Sequence, residues 1–302
     1  MAKECNSQLQ QKLEAYIAQV GSQKKAAEVI GYSTGTISTY RQGKYNGDVE
    51  KFEARLKELF EVKEESETLY TSPDYVPTSI STHVYETIRI CHLKGGLAIE
   101  CGDAGIGKTK AAQKYVEDYP NSAIYVTVNP CLVSVTAFLK LLCRQLKIPT
   151  GRKDDMWFDI DNRLRGGRKV LIIDEGQHLP IKTIESIRAF ADSNPELGVI
   201  LIGNAETVTT KVGKSREAFA QIRNRTKLTE IRHTAHITKN DIKLLFPALA
   251  ASEKEVEFLH TIARSEQGVR GAVNLYSNAA DNENTTYQGL IAMAKAMRIV
   301  NF

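Results

Sequence analysis

The chain has 302 residues, with 40 Lys and Arg against 36 Asp and Glu, a formal charge of +4, 42% hydrophobic residues and 25% charged ones. This is an ordinary globular composition. It excludes collagen-like, wholly disordered and disulfide-scaffold classes, and the length leaves room for two or three domains. No run approaches the roughly 18 apolar residues of a membrane helix, and the N-terminal MAKECNSQLQQKLE lacks the apolar core of a secretory signal. A soluble intracellular protein without a membrane partner is expected. Cys5, Cys91, Cys101, Cys131 and Cys143 form no C-x-x-C pair and read as filler rather than ligands.

Residues 8–61 read as short helices broken by turns, ending in DVEKFEARLKELF, whose Phe52, Leu56, Leu59 and Phe60 recur at helical spacing. Residues 7–47 carry a net charge of +3. Within them SQKKAAEVIGYSTGTISTYRQGK reads as helix, glycine turn, helix: Ala26, Ala27 and Ile30 pack the first helix, Gly31 turns, Ser33 or Thr34 caps the second, and Ile37 faces inward. In a helix-turn-helix the second helix enters the major groove. Thr34, Thr36, Ser38, Thr39 and Arg41 would then face DNA, with Lys24, Lys25 and Lys44 near phosphates. Short hydroxyl side chains predict weak base preference. The sequence thus predicts a helix-turn-helix domain over 1–61, followed by a polar, proline-bearing linker over 62–79.

From residue 80 apolar runs alternate with helical stretches. Strands are predicted at 97–101, 123–128, 169–174, 198–203 and, more weakly, 226–231, with helices starting near Lys108, Ser134, Asp154 and Lys182. Buried strands separated by helices predict a parallel five-stranded sheet covered on both faces over 80–235, and helices alone over 236–302.

Directly after the first of these strands comes Gly102, Asp103, Ala104, Gly105, Ile106, Gly107, Lys108, Thr109, with Lys110 following. This matches G-x-x-x-x-G-K-[ST], which about one random 300-residue chain in a hundred would contain. The glycines let successive N–H groups wrap a phosphate, Lys108 reaches the β- and γ-phosphates, and the Thr109 hydroxyl binds Mg²⁺. The apolar strand Val170–Asp174 ends in a carboxylate suited to the Mg²⁺ shell, and Glu175 beside it can polarise an attacking water. Asn204, ending GVILIGN, supplies a polar group facing the γ-phosphate. ATP and Mg²⁺ are the expected ligands, and ATP hydrolysis the expected reaction.

In order and spacing these segments resemble the AAA+ ATPases. The resemblance implies an α/β P-loop fold with a helical C-terminal lid, with Gly102–Thr109 as Walker A, Val170–Glu175 as Walker B and Asn204 as sensor 1. It also implies an arginine finger offered to a neighbouring subunit, Arg223 or Arg225 with Arg225 favoured, and a sensor 2 arginine, best matched by Arg270. Val76 and Pro77 stand where related proteins pack the adenine.

With the N-terminal words STGTIS and KYNGD added, nearly the whole chain resembles the B proteins of Mu-type transposable phages. That family implies an ATP-dependent, largely sequence-nonspecific binder of double-stranded DNA that assembles helical filaments of itself. Such proteins deliver DNA to the transposase in the bacterial host cytoplasm and are released on hydrolysis. A filament would grip DNA through its ATPase domains too, with Arg152 and Lys153 as candidates and Lys140, Arg163 and Arg165 nearby; Asp154, Asp155 and Asp159 dilute that charge. Two other readings fit the same motifs: a helicase loader or replication initiator, and a DNA-binding regulator that uses ATP as a switch.

Overall fold

The structure, a computed structural model, describes residues 5–132, 134–204 and 226–299. The chain divides into two compact units, Met1–Thr71 and Ser72–Phe302.

The first unit is helical: α1 (Ser7–Val20), α2 (Gln23–Ile30), α3 (Thr34–Arg41) and α4 (Val49–Thr68). Each start is written in the sequence. The Asn6, Ser22, Ser33 and Asp48 side chains accept from the first-turn N–H groups of their helices, satisfying donors that have no intrahelical partner. Gly31 closes α2 at φ 81°, a left-handed conformation that glycine adopts without steric cost. Leu13, Ile30, Ile37, Tyr40, Phe52 and Leu56 form the core, and the rings of Tyr32, Tyr40 and Tyr45 surround Phe52. One boundary differs from the expected linker at 62–79, because α4 continues to Thr68. Residues 62–68 lack apolar periodicity, but they are mostly good helix formers. Lys12 pairs with Glu64, and Lys63 with Glu67 at i,i+4 spacing.

The second unit opens with α5 (Ser79–Lys94) and builds one parallel sheet from β1 (Gly96–Gly102), β2 (Ala123–Thr127), β3 (Lys169–Asp174), β4 (Leu197–Asn204) and β5 (Thr226–Arg232), in the order β2-β3-β4-β1-β5. Between the strands lie α6 (Lys108–Asp118), α7 (Val135–Leu146), α8 (Lys153–Leu164) and α9 (Ile181–Ser193). Leu97, Ile99, Leu171, Ile173, Val199 and Leu201 pack with residues of α7, α8 and α9. On the other face α5 crosses so near β4 that a Cβ at Gly198 would sit 2.4 Å from the Cys91 carbonyl oxygen. Helices on both faces explain why these strands read as unbroken apolar runs. Gly102 pairs in register with Asn204 and Arg232, while Asp174 pairs with Thr127. The carboxyl ends of the strands therefore finish level, at the edge where open α/β sheets bind ligands.

The lid comprises α10 (Lys239–Leu245), α11 (Glu253–Arg264), α12 (Gly268–Asp281) and α13 (Tyr287–Ala296). Its first helix is tied to the core by Asp241, which is only 2% exposed. The carboxylate accepts from the Ser79 N–H and hydroxyl at 2.6 and 2.7 Å and from the Thr238 N–H and hydroxyl at 2.8 and 2.9 Å. Among the described residues no helix is long and apolar enough to cross a membrane.

Burial alone would push the Asp241 carboxyl up, but the Ser79 and Thr238 donors outweigh it and hold it below the usual carboxylate range. Its stabilising effect is therefore present above the unfolded value, roughly pH 4, and is lost as pH falls through the lower folded value. Asp241→Asn leaves buried donors unmatched and should cost about 1–3 kcal/mol. In thermal melts this gap from the wild type should be full at neutral pH and close in acid.

Candidate functional site

The loop Gly102–Lys108 runs from β1 into α6. Gly105 and Gly107 have φ of 71° and 99°, and a Cβ at Gly102 would lie 2.5 Å from the Arg232 carbonyl oxygen. The loop is braced from β5 and the turn after it: the Asp103 N–H donates to the Arg232 carbonyl at 3.0 Å, and the Thr234 N–H donates to the Asp103 carboxylate at 2.7 Å. Burial pushes Asp103 up, but Thr234 and the adjacent His233 overcome it and leave the carboxyl below its ordinary value.

Lys108 is 8% exposed. Its Nζ donates to the Gly102 and Asp103 carbonyls at 2.9 and 2.7 Å. Burial pulls its pKa down, an effect only partly offset by the negative charge of Asp174 and other neighbours. The ammonium thus sits where an anion would relieve the cost of its burial. The Thr109 hydroxyl donates to Asp174 Oδ2 at 2.8 Å, so Walker A and the end of β3 meet in one hydrogen bond. This pair of hard oxygen donors suits a magnesium ion.

Sequence reasoning missed two side chains beside this pair. Tyr125 on β2 donates its hydroxyl to Asp174 Oδ2 at 2.8 Å. Gln177, in the 3-10 turn Gly176–His178, donates its amide to Glu175 and accepts the Asn204 N–H at 3.3 Å. It bridges the two residues expected to frame the γ-phosphate. Glu175 has φ 59°, an uncommon conformation for a residue with a Cβ and one that costs energy to hold. Val76 and Pro77 lead into α5, and the Val76 carbonyl accepts from the Ser81 hydroxyl at 2.8 Å. Ser81 Cβ lies 3.7 Å from where a Cβ on Gly107 would stand, so this segment borders the loop.

The lid meets the loop through backbone. The Arg270 N–H donates to the Gly105 carbonyl at 3.0 Å, and the exposed Arg270 side chain starts in the first turn of α12. The tip residues Ala104 and Ile106 differ in placement, Ala104 exposed and Ile106 buried. Lys110 lies 3.7 Å from Asp74 in an exposed pair. Arg223 and Arg225 lie outside the described residues.

The surfaces expected to meet DNA divide in two. In the first unit Lys24, Lys25, Thr34, Thr39 and Lys44 are exposed, with Thr36 and Ser38 half-buried. Arg41 departs from expectation. Its guanidinium donates to both Glu14 carboxylate oxygens and, at 2.6 Å, to Gln23, so it ties α3 to α1 and α2 instead of presenting a free fork. The Thr36 hydroxyl pairs with Ser33, the Thr39 hydroxyl donates to the Gly35 and Thr36 carbonyls, and Ser38 lies near Gln42.

In the ATPase unit Lys140, Arg152, Lys153 and Arg163 are exposed. Arg165 is committed elsewhere, donating to Asp161 at 2.7 and 2.9 Å and to the Ser193 carbonyl. Two further bases complete a stripe: Lys140, Arg144 and Lys147 follow i, i+4, i+7 spacing along and just past α7, all exposed, opposite buried Phe138, Leu139 and Leu142. That spacing was available in the sequence. Asp154 and Asp155 lie in the first turn of α8, where they complement the helix dipole.

The parallel sheet, the glycine loop on β1 and the acidic end of β3 define an AAA P-loop ATPase. The AAA domain family matches residues 92–210. The ORC1 protein of Aeropyrum pernix, solved in complex with DNA, shares the fold with a TM-score of 0.55 at 14% identity, over 74% of this chain and 66% of its own. The ATP-dependent target DNA activator B of Escherichia phage Mu is 32% identical over 252 residues, 82% of this chain and 79% of that protein. The Mu-like prophage FluMu DNA transposition protein B of Haemophilus influenzae is 26% identical over 264 residues, 85% and 90% of the two chains. The chain belongs to the family of ATP-dependent target DNA activator B proteins.

Gly268 supplies a test of the contact between lid and loop. It has φ 63°, and a Cβ there would meet the Ala104 carbonyl oxygen at 2.7 Å. Gly268→Ala should lift α12 from the loop and weaken ATP binding roughly tenfold, the equivalent of the ~1–3 kcal/mol that such a backbone conformation costs a residue with a Cβ. Calorimetric titration with nucleotide checks it.

Proposed function

We propose that this chain is an ATP-dependent, largely sequence-nonspecific DNA-binding ATPase that polymerises on double-stranded target DNA and presents it to a transposase. Hydrolysis then releases it. The observation that carries this reading is the joined Thr109–Asp174 pair beside Lys108 and Glu175, in a chain 32% identical to a protein named for ATP-dependent activation of target DNA.

The residues divide the work. Backbone N–H groups of Gly105 to Thr109 cradle the phosphates, and Lys108 Nζ turns from the loop carbonyls to the β- and γ-oxygens. Magnesium held by Thr109 and Asp174 would neutralise charge building on the phosphate oxygens. Glu175 accepts a proton from the attacking water, once its carboxylate is free of the Gln177 amide. Asn204 holds the γ-phosphate from the end of β4, and Arg270 reaches it from the lid. Arg223 or Arg225 of a neighbouring copy completes the site, so ATP favours assembly and its hydrolysis loosens it. Val76 and Pro77 flank the adenine. DNA is held through its phosphates, by Lys24, Lys25 and Lys44 in the first unit and by Lys140, Arg144, Lys147, Arg152, Lys153 and Arg163 in the second.

Negative-stain electron microscopy with nonspecific duplex DNA tests the whole. Filaments with ATP and none with ADP are expected; dispersed particles or closed rings in both states would overturn the reading. Glu175→Gln should slow hydrolysis by about 10²- to 10⁴-fold while ATP-dependent filaments persist and disassemble more slowly. Replacing Lys140, Arg144 and Lys147 together by Ala should lower the slope of log affinity against log salt by about 2–3, at roughly 0.9 per phosphate contact, with equal losses on unrelated DNA sequences.

A further inference from the structure

We propose that Tyr125 is a positioning residue for ATP hydrolysis: its hydroxyl fixes the Asp174 carboxylate in the orientation that a nucleotide-bound magnesium ion requires. The inference rests on the role of Asp174 put forward above.

The Asp174 side chain is 2% exposed and takes three donors. Thr109 Oγ1 and Tyr125 Oη both donate to Oδ2 at 2.8 Å, and the Glu175 N–H donates to Oδ1 at 2.9 Å. Two of these donors lie within the Walker segments. The third comes from β2, a strand neither segment includes. Thr127 is the register partner of Asp174, and residues two apart share a face of a strand. Tyr125 therefore projects on the same side of the sheet as the carboxylate, one pleat repeat back.

The terminal torsion of an aspartate is soft, with a broad range of carboxylate orientations at little cost. Something must hold the plane if one oxygen is to serve the metal shell reproducibly. Thr109 cannot do this alone, because its own oxygen is the group that turns to the cation. Tyr125 is anchored in the sheet, on a strand that neither Walker segment includes. Toward a carboxylate a tyrosine hydroxyl is the donor. A phenyl ring would fill the same half-buried space equally well, so the hydroxyl is the part that packing does not explain.

The test compares wild type, Tyr125→Phe, Asp174→Asn and the double variant. ADP affinity is measured in EDTA and again with Mg²⁺, alongside melting temperature, kcat and KM. For Y125F the expected result is wild-type affinity in EDTA and an unchanged Tm. The affinity gained on adding Mg²⁺ should fall roughly tenfold, the usual effect of losing a partner that orients a metal ligand. The kcat should fall by a similar factor with KM for ATP nearly constant, and Y125F should add nothing in the D174N background. Wild-type Mg²⁺ gain and kcat in Y125F would overturn the proposal, as would an equal loss in EDTA and in Mg²⁺, which marks a merely structural tyrosine. If D174N itself keeps the full Mg²⁺ gain, the reading of Asp174 fails and takes this one with it. If D174N loses that gain while Y125F does not, only the role of Tyr125 fails.

Discussion

The burial of one ammonium group sets the terms for the ATPase unit. Lys108 is nearly enclosed, and its Nζ is held by the carbonyls of Gly102 and Asp103. Two neutral acceptors compensate a buried cation incompletely, which is why its proton is held less firmly than on an exposed lysine. For those carbonyls to point inward, the loop must keep its left-handed glycines and its attachment to the Arg232 carbonyl. The level finish of β1, β4 and β5 follows from the same need, since a one-residue slip would carry Gly102 away from both Asn204 and Arg232. A polyphosphate completes what the carbonyls begin, so nucleotide affinity is built into the cost of folding the loop.

Two of the attachments of the lid to this arrangement lie on segments that border the nucleotide site. One is backbone to backbone, Arg270 to Gly105, with Gly268 lacking the Cβ that would strike Ala104. The other is Asp241, whose carboxylate ties Thr238 to the start of α5 just beyond Val76 and Pro77. A contact made by backbone alone has no side-chain slack. On the other side, Gln177 joins Asn204 on β4 to Glu175 after β3.

Much of this was legible in the residues themselves. The five strands were readable because a parallel sheet covered on both faces writes continuous apolar runs, and the glycine loop because few other structures need that spacing of Gly, Lys and Thr. Partners were less legible. Arg41 and Arg165 look like free bases in one dimension, yet each is satisfied by a carboxylate on the same or a neighbouring helix. Tyr125 counts as one more apolar residue in AIYVT, since nothing in a strand pattern says where a hydroxyl points. Glu100 was hidden in the same way: it sits fully buried in β1, beside Arg232 at 3.4 Å, and burial pushes its carboxyl up. The end of α4 escaped because polar residues that favour helix leave no apolar period to follow.

The internal commitment of Arg41 bears on how the first unit would meet DNA. Base-specific recognition in the major groove draws most often on a guanidinium held against guanine, or on an amide against adenine. The one arginine of α3 is occupied by Glu14 and Gln23, and several of its hydroxyls turn back to the backbone or to each other. Besides the exposed amides of Gln42 and Asn46, the polar groups around α3 include exposed lysines and a few short hydroxyls, which suit phosphate oxygens better than base edges. In the second unit Lys140, Arg144 and Lys147 form an exposed row of cations along and just past α7. A protein that must accept many DNA targets, under the function proposed here, gains from having its most discriminating side chain used up in holding its own helices together.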